Sequence, residues 1–335
     1  MATMKDVALS AGVSTATVSR ALMTPEKVSL TTRKRVENAI IETGYSPTTL
    51  TRTLRRNESK TIVTIVPDIC DPYFSDILRG IEDTAVENGY IVLVGDSSQQ
   101  QKREHSFVNL VYTKQVDGMV LLGSDLPFNA SRQEQKNLPP LVMACEYAPE
   151  LELPTVHIDN LTAAFEAVNY LTKLGHKRIA ELSGPEDSAL CQFRHQGYQQ
   201  ALRRAGITMN SAYIHYGDFS FEAGAKAISQ LLSLSSPPSA VFCHNDIMAI
   251  GAIQKAKQMG FRVPQDISIM GFDDIEFSQY CEPSLTTISQ PRYEIGRQSM
   301  LMLLELLKGH DVRSGSRLLE SSLVIRESTA PPKNH

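Results

Sequence analysis

Residues 4–22, MKDVALSAGVSTATVSRAL, hold the side chains best placed to act on another molecule. Val18, Ala21 and Leu22 recur at helical spacing, which turns Thr15, Ala16, Ser19 and Arg20 to the opposite arc. Small polar groups with one arginine let a helix lie in a major groove, because nothing bulky keeps it from the base edges. Arg20 can donate two hydrogen bonds to a guanine, and Ala16 can touch only a thymine methyl. The hydroxyls of Ser14, Thr17 and Ser19 can hold phosphates. The competing reading is a three-helix domain that contacts protein.

Those side chains need two short helices and a tight turn. Met4, Val7, Ala8 and Ala11 form one stripe, with Thr3 and Asp6 as a capping box. Gly12 breaks the pattern, and Ser14 caps the second helix. Ser29 caps a third, with Val36, Ala39 and Ile40 inward and Gly44 as its stop. Residues 46–59 are rich in threonine and arginine and hold only two large apolar side chains, Leu50 and Leu54. Such a segment cannot fold alone and reads as a linker. From Thr61 the rhythm changes. Strand-like runs at Thr61–Val66, Ile91–Val94, Gly118–Leu122, Thr155–Ile158, Arg178–Leu182, Ala240–Cys243 and Ile267–Gly271 alternate with helical stretches near 73–88, 102–113, 161–174, 194–205, 221–233, 246–259 and 291–308. Alternation with buried-looking strands predicts parallel sheets covered by helices, in two lobes given the length. The tail 330–335 is expected to fray.

The 335 residues carry a formal charge of −4, unevenly spread. Residues 1–60 hold ten Lys and Arg against five Asp and Glu, and the remainder holds 23 against 32. A basic head on an acidic body points the head at phosphate. No run of 18 apolar residues and no apolar leader occurs, so a cytoplasmic protein is expected. The five cysteines form no CxxC and read as buried free thiols. No metal, cofactor or catalytic residue is expected: GxSxG, Walker A, HExxH and GxGxxG are absent and the eight histidines are dispersed. Cys243-His244-Asn245-Asp246 follows a strand, where Asn245 or Asp246 reads as a helix cap.

DVALSAGVSTATVSRAL, KVS, TRKRVENAI and GYSP resemble the LacI/GalR family of bacterial repressors, and the resemblance runs through essentially the whole chain. It implies an all-α helix-turn-helix domain at 1–46 and a hinge helix at 47–59. After them it implies an α/β two-lobed periplasmic-binding-protein-like effector core with parallel sheets at 60–335. Lobe 1 would combine about 60–159 with 291–320, and lobe 2 about 160–290 with 321–330. Thr15, Ala16 and Arg20 would read bases. Arg52 and Arg55 would draw the hinge to phosphates, and Leu54 would wedge into the minor groove.

The resemblance also implies a ligand cleft at the carboxyl ends of the strands. Arg194 would donate to ligand oxygens and Asp273 would accept from vicinal hydroxyls. Phe219 would stack on a ring, with Tyr73 and Phe74 lining the other lobe. Residues 67–82, 149–171, 239–244 and 289–304 sit nearest the branch whose effector is the nucleoside cytidine. Ser188 and Leu190 align where the purine-responsive branch has Arg and Thr. Ser188, Gln192 and Cys145-Glu146-Tyr147 are candidates to read a small base. The implied partners are palindromic operator DNA, a second copy of the chain, a nucleoside and the cyclic-AMP receptor protein as activator. The regulated genes would serve nucleoside uptake and catabolism. The apolar helix at Met300–Leu307 either joins the dimer contact or packs on its own sheet. The alternatives are a repressor answering another pentose or sugar, and a solute-binding protein on the same core.

Overall fold

Thr3 opens the first helix with its capping box to Asp6, and Gly12 ends that helix at φ 60°. That left-handed backbone is one a glycine adopts without a Cβ clash. The computed structural model describes residues 2–45, 58–98, 100–123, 138–146, 153–310 and 315–333. The chain divides into Met1–Ser59 and Lys60–His335.

The first unit holds α1 (Met4–Ala11), α2 (Thr15–Met23) and α3 (Leu30–Thr43). Ser14 and Ser29 accept from Thr17 N and Thr32 N, and so satisfy amides with no partner inside the helix. Val7, Ala8, Ala11, Val18, Ala21, Val36 and Ala39 form the core, and Tyr45 closes it after Gly44. Arg35, on α3, ties the turn from outside: its Nη2 donates to Ala11 O at 2.6 Å and to Gly12 O at 3.1 Å.

The second unit carries two parallel sheets. The larger orders β11 (Ser316–Leu319), β5 (Thr155–Ile158), β4 (Leu141–Ala144), β3 (Gly118–Leu121), β1 (Thr61–Val66) and β2 (Ile91–Asp96). The smaller orders β7 (Ile214–Tyr216), β6 (Ile179–Ser183), β8 (Ala240–Cys243) and β9 (Ser268–Met270). An antiparallel pair, β10 (Thr287–Ser289) with β12 (Ser322–Val324), lies along the return crossover. Helices α4 (Tyr73–Glu87), α5 (Gln101–Tyr112) and α11 (Arg292–Leu307) belong with the larger sheet. Helices α6 (Asn160–Lys173), α7 (Ala189–Arg204), α8 (Phe221–Leu232) and α9 (Asp246–Gln258) belong with the smaller, and α10 (Phe277–Tyr280) is one turn. Helices α8 and α9 touch backbone to backbone. A Cβ on Gly224 would lie 2.0 Å from Met248 O, and one on Gly251 would lie 2.1 Å from Phe221 O.

Several expectations need correction. Strand β2 is a sheet edge, so Ile91, Leu93 and Val94 are exposed despite their buried-looking run. Helix α7 starts at Ala189, five residues before the expected 194, because Ser188 already has extended backbone and releases the chain into helix. Met300, Met302, Leu303 and Leu304 are buried in their own lobe, so these residues of α11 pack on their own sheet. Cys70 is exposed and Cys281 half-buried, whereas Cys145, Cys191 and Cys243 are buried. The tail is tied as far as Lys333. Ala330 O accepts from His176 Nε2 and Ser268 Oγ, and Lys333 Nζ pairs with Asp266. Among the described residues no helix is long and apolar enough to cross a membrane.

Candidate functional site

In the first unit, Ser14, Thr15, Ala16 and Arg20 are exposed along α2. Ser14 Oγ is engaged in the cap, at 3.1 Å from Thr17 N and 2.9 Å from Thr17 Oγ1. Its remaining reach toward a phosphate is therefore shared with the helix end. Ser19 corrects the sequence reading: it is buried beside Val18 and does not present its hydroxyl to solvent. It follows the inward Val18 by 100° of helix rotation, close enough for α2's packed flank to cover it. Arg52, Leu54 and Arg55 lie outside the described residues.

The second unit contains a cavity of about 340 Å³ at the carboxyl ends of both sheets. Pro67 follows β1, Leu122 follows β3, and Cys145 and Glu146 follow β4. Phe219 follows β7, Asn245 follows β8 and Asp273 follows β9. In a parallel sheet these loops surround a crevice and carry the binding groups. The structure brings Tyr73, Phe74, Arg194, Phe219 and Asp273 to this one wall. Cys145, Glu146 and Leu190 join them, Ser188 and Gln192 do not line it, and Tyr147 lies outside the described residues.

Arg194 is held on three sides. Its Nε donates to Asn160 Oδ1 at 2.9 Å and its Nη1 donates to the main-chain oxygen of His244. Its guanidinium carbon sits 3.6 Å over the Phe272 ring. Nη2 stands 3.9 Å from Asp273 Oδ1, with both side chains below 10% exposed. Burial pushes the Asp273 carboxyl well above the usual carboxylate range, with Arg194 pulling the other way. Gln290 Nε2 donates to Asp273 Oδ1, and Arg292 Nη1 donates to Asp273 O. Phe219, at φ 66°, has its main-chain oxygen fixed by Asn245 Nδ2 at 3.0 Å. One cation, one acid and aromatic faces suit a polar ligand that carries a ring and hydroxyls.

Behind the wall lies a network that the sequence did not disclose. Glu181 Oε1 accepts from His244 Nε2 at 2.8 Å, and Oε2 accepts from His195 Nδ1 at 2.5 Å. Burial raises the Glu181 pKa, but the two imidazole bonds outweigh it and hold the carboxyl below its usual range. Burial lowers His244, and the bond to Glu181 raises His195. Ser183 Oγ lies 3.2 Å from His244 Nδ1, which completes a serine–histidine–glutamate line. All three are buried and none lines the cavity, so the set supports the His244 carbonyl that Arg194 uses. Asn245 was legible only as a cap. It does cap Met248 N, and it also lines the cavity.

Comparison with known proteins follows the same division. Residues 3–48 match the bacterial regulatory proteins of the lacI family. Residues 59–323 match the periplasmic binding proteins and sugar binding domain of the LacI family. The chain is 63% identical over 328 residues to the HTH-type transcriptional repressor CytR of Escherichia coli strain K12, covering 98% of this chain and 96% of that one. It is 36% identical over 328 residues to the ribose operon repressor of Haemophilus influenzae, covering 98% of each. The lac repressor dimer bound to operator and the anti-inducer ONPF superposes with a TM-score of 0.86 at 29% identity, covering 98% of this chain and 99% of that one. These relatives are transcriptional repressors, a non-enzymatic class.

Proposed function

The chain belongs to the LacI family of bacterial regulatory proteins and is a ligand-responsive transcriptional repressor; from that premise we propose that its effector is a nucleoside, cytidine first. The observation that carries the effector reading is the convergence of Arg194, Asp273 and Phe219 on one cavity wall. An acid for a ribose diol, a cation for a carbonyl and an aromatic face for a base are the groups a nucleoside engages. Its identity to the repressor CytR supports the same choice over a plain sugar.

The protein works as a cytoplasmic homodimer on palindromic operators, since one recognition helix reads only a few base pairs. Thr15, Ala16 and Arg20 face the bases, Leu54 of the hinge wedges into the minor groove, and Arg52 and Arg55 draw the hinge to phosphates. The cyclic-AMP receptor protein acts as the neighbouring activator, on genes of nucleoside uptake and catabolism. Closure of the lobes on the nucleoside lowers operator occupancy, through DNA affinity or through cooperation with that activator. Ligand does this only by binding the two states unequally. Footprinting of genomic fragments selected by the full chain, with and without activator, tests it. Occupancy that falls on adding cytidine supports the reading, and occupancy unchanged by cytidine in both arms contradicts it.

A further inference from the structure

We propose that the cavity selects against phosphorylated ligands, so that the repressor answers the nucleoside and ignores the nucleotide built on it. The inference rests on the reading that the effector is a riboside. Among the described residues, the acidic side chains of Asp68, Asp71, Glu146, Asp218 and Glu222 line the cavity with Asp273, against the one guanidinium of Arg194. Its Nε and Nη1 already donate to Asn160 and the His244 carbonyl, and its Nη2 faces Asp273 at 3.9 Å, so few of its donors are left for a dianion.

The helix ends point the same way. Helices α4, α8 and α9 begin at the cavity wall, and free amides at helix amino ends would attract an anion. At each of these ends the chain has set an acceptor of its own on one of the amides. Asp71 Oδ1 accepts from Tyr73 N at 2.8 Å at the start of α4. Ser220 Oγ accepts from Ala223 N at the start of α8, Asp218 Oδ1 accepts from Ser220 N, and Glu222 sits in the first turn. Asn245 Oδ1 accepts from Met248 N at the start of α9, where Asp246 follows. Helix α7 also begins here, with Ser188 uncapped, and Glu186 and Asp187 precede it in the chain. A phosphate would therefore meet like charge where other proteins offer it amides. Hydroxyl and amino groups, which donate, would find acceptors.

The test is calorimetry of the full chain with three pairs: cytidine and cytidine 5′-monophosphate, adenosine and adenosine 5′-monophosphate, ribose and ribose 5-phosphate. The phosphorylated member should bind at least about 100-fold more weakly, as expected for a dianion facing several carboxylates across a few ångströms. The variant Asp218→Asn with Glu222→Gln should narrow that gap by about tenfold. Both side chains are exposed at the mouth and both changes keep their shape. If the double variant loses nucleoside binding altogether, Glu222→Gln alone is read in its place, with a gap that still narrows. A phosphorylated member that binds the natural protein as tightly as its partner overturns the proposal. So does a gap that the variants leave unchanged. If only ribose binds and ribose 5-phosphate does not, the exclusion stands and the nucleoside reading falls. If no member of any pair binds, both fall.

Discussion

Gln290 joins Asp273 to Tyr73, which lies 217 residues before it in sequence: its Nε2 donates to Asp273 Oδ1 at 2.7 Å, and its Oε1 accepts from Tyr73 Oη at 3.1 Å. Gln290 lies just past β10, on the return crossover, and Tyr73 opens α4 in the other lobe. A ligand hydroxyl that reaches Asp273 has its second oxygen, or a shared place on Oδ1 beside this amide. The acid that would read the ligand is thus joined through the return crossover to the start of α4.

Asp273→Ala removes the acceptor for a ribose diol. Riboside affinity is expected to fall by about 1.5–3 kcal/mol, the range for hydrogen bonds to a charged group. Calorimetry checks it, and unchanged affinity would exclude the diol role.

Asp273 also sets a pH dependence. Burial raises its pKa in the protein without ligand, and hydroxyls that donate to the carboxylate favour the ionised form. Below that raised pKa binding therefore releases a proton, and affinity falls as pH drops through it. Titration in two buffers of different ionisation enthalpy reads this directly. The apparent enthalpy should differ between the buffers increasingly as the pH is lowered, and enthalpies equal at every pH would count against it.

Arg20 and Arg35 should separate reading from folding. Arg20→Ala should cost about 1–3 kcal/mol on the operator and much less on random DNA. Arg35→Ala removes the bonds to Ala11 O and Gly12 O that clamp the turn. It should lower the melting temperature of the head and weaken binding to every DNA alike. Equal losses for Arg20→Ala on both DNAs would refute base reading.

Glu181→Ala would strand His244 and His195 without their shared acceptor. A loss of roughly 3–5 kcal/mol in urea unfolding is expected, as when one partner of a buried charged network is removed. Glu181→Gln keeps one acceptor and should cost less. A neutral result for the alanine variant would show that the network does not hold this lobe.

Local features were legible because their physics is local. Thr3 with Asp6, Ser14, Ser29 and Gly44 each answer to hydrogen bonds within four residues, and the strands at Thr61–Val66, Thr155–Ile158 and Ala240–Cys243 begin and end where their apolar runs do. Ser19 was misread because α2 is covered along a flank as well as along its inward stripe, and the stripe alone does not show that. Strand β2 has the apolar composition of an interior strand and the position of an edge, and only the sheet order separates the two. The Glu181 network joins side chains up to 63 residues apart, with one histidine on α7 and the other after β8. Each is unremarkable in its own segment. In the cavity, the family resemblance pointed to Tyr73, Phe74, Arg194, Phe219 and Asp273, which the fold gathers around one cavity. Asn245 gave only a cap signal, since a cap and a wall residue look alike in sequence.

The most direct measurement is calorimetric titration of the full-length chain with cytidine, beside ribose and glucose. One site per chain is expected, with cytidine bound tightest and ribose more weakly through Asp273 alone. Glucose bound as tightly as cytidine, or no heat with cytidine at all, would contradict it.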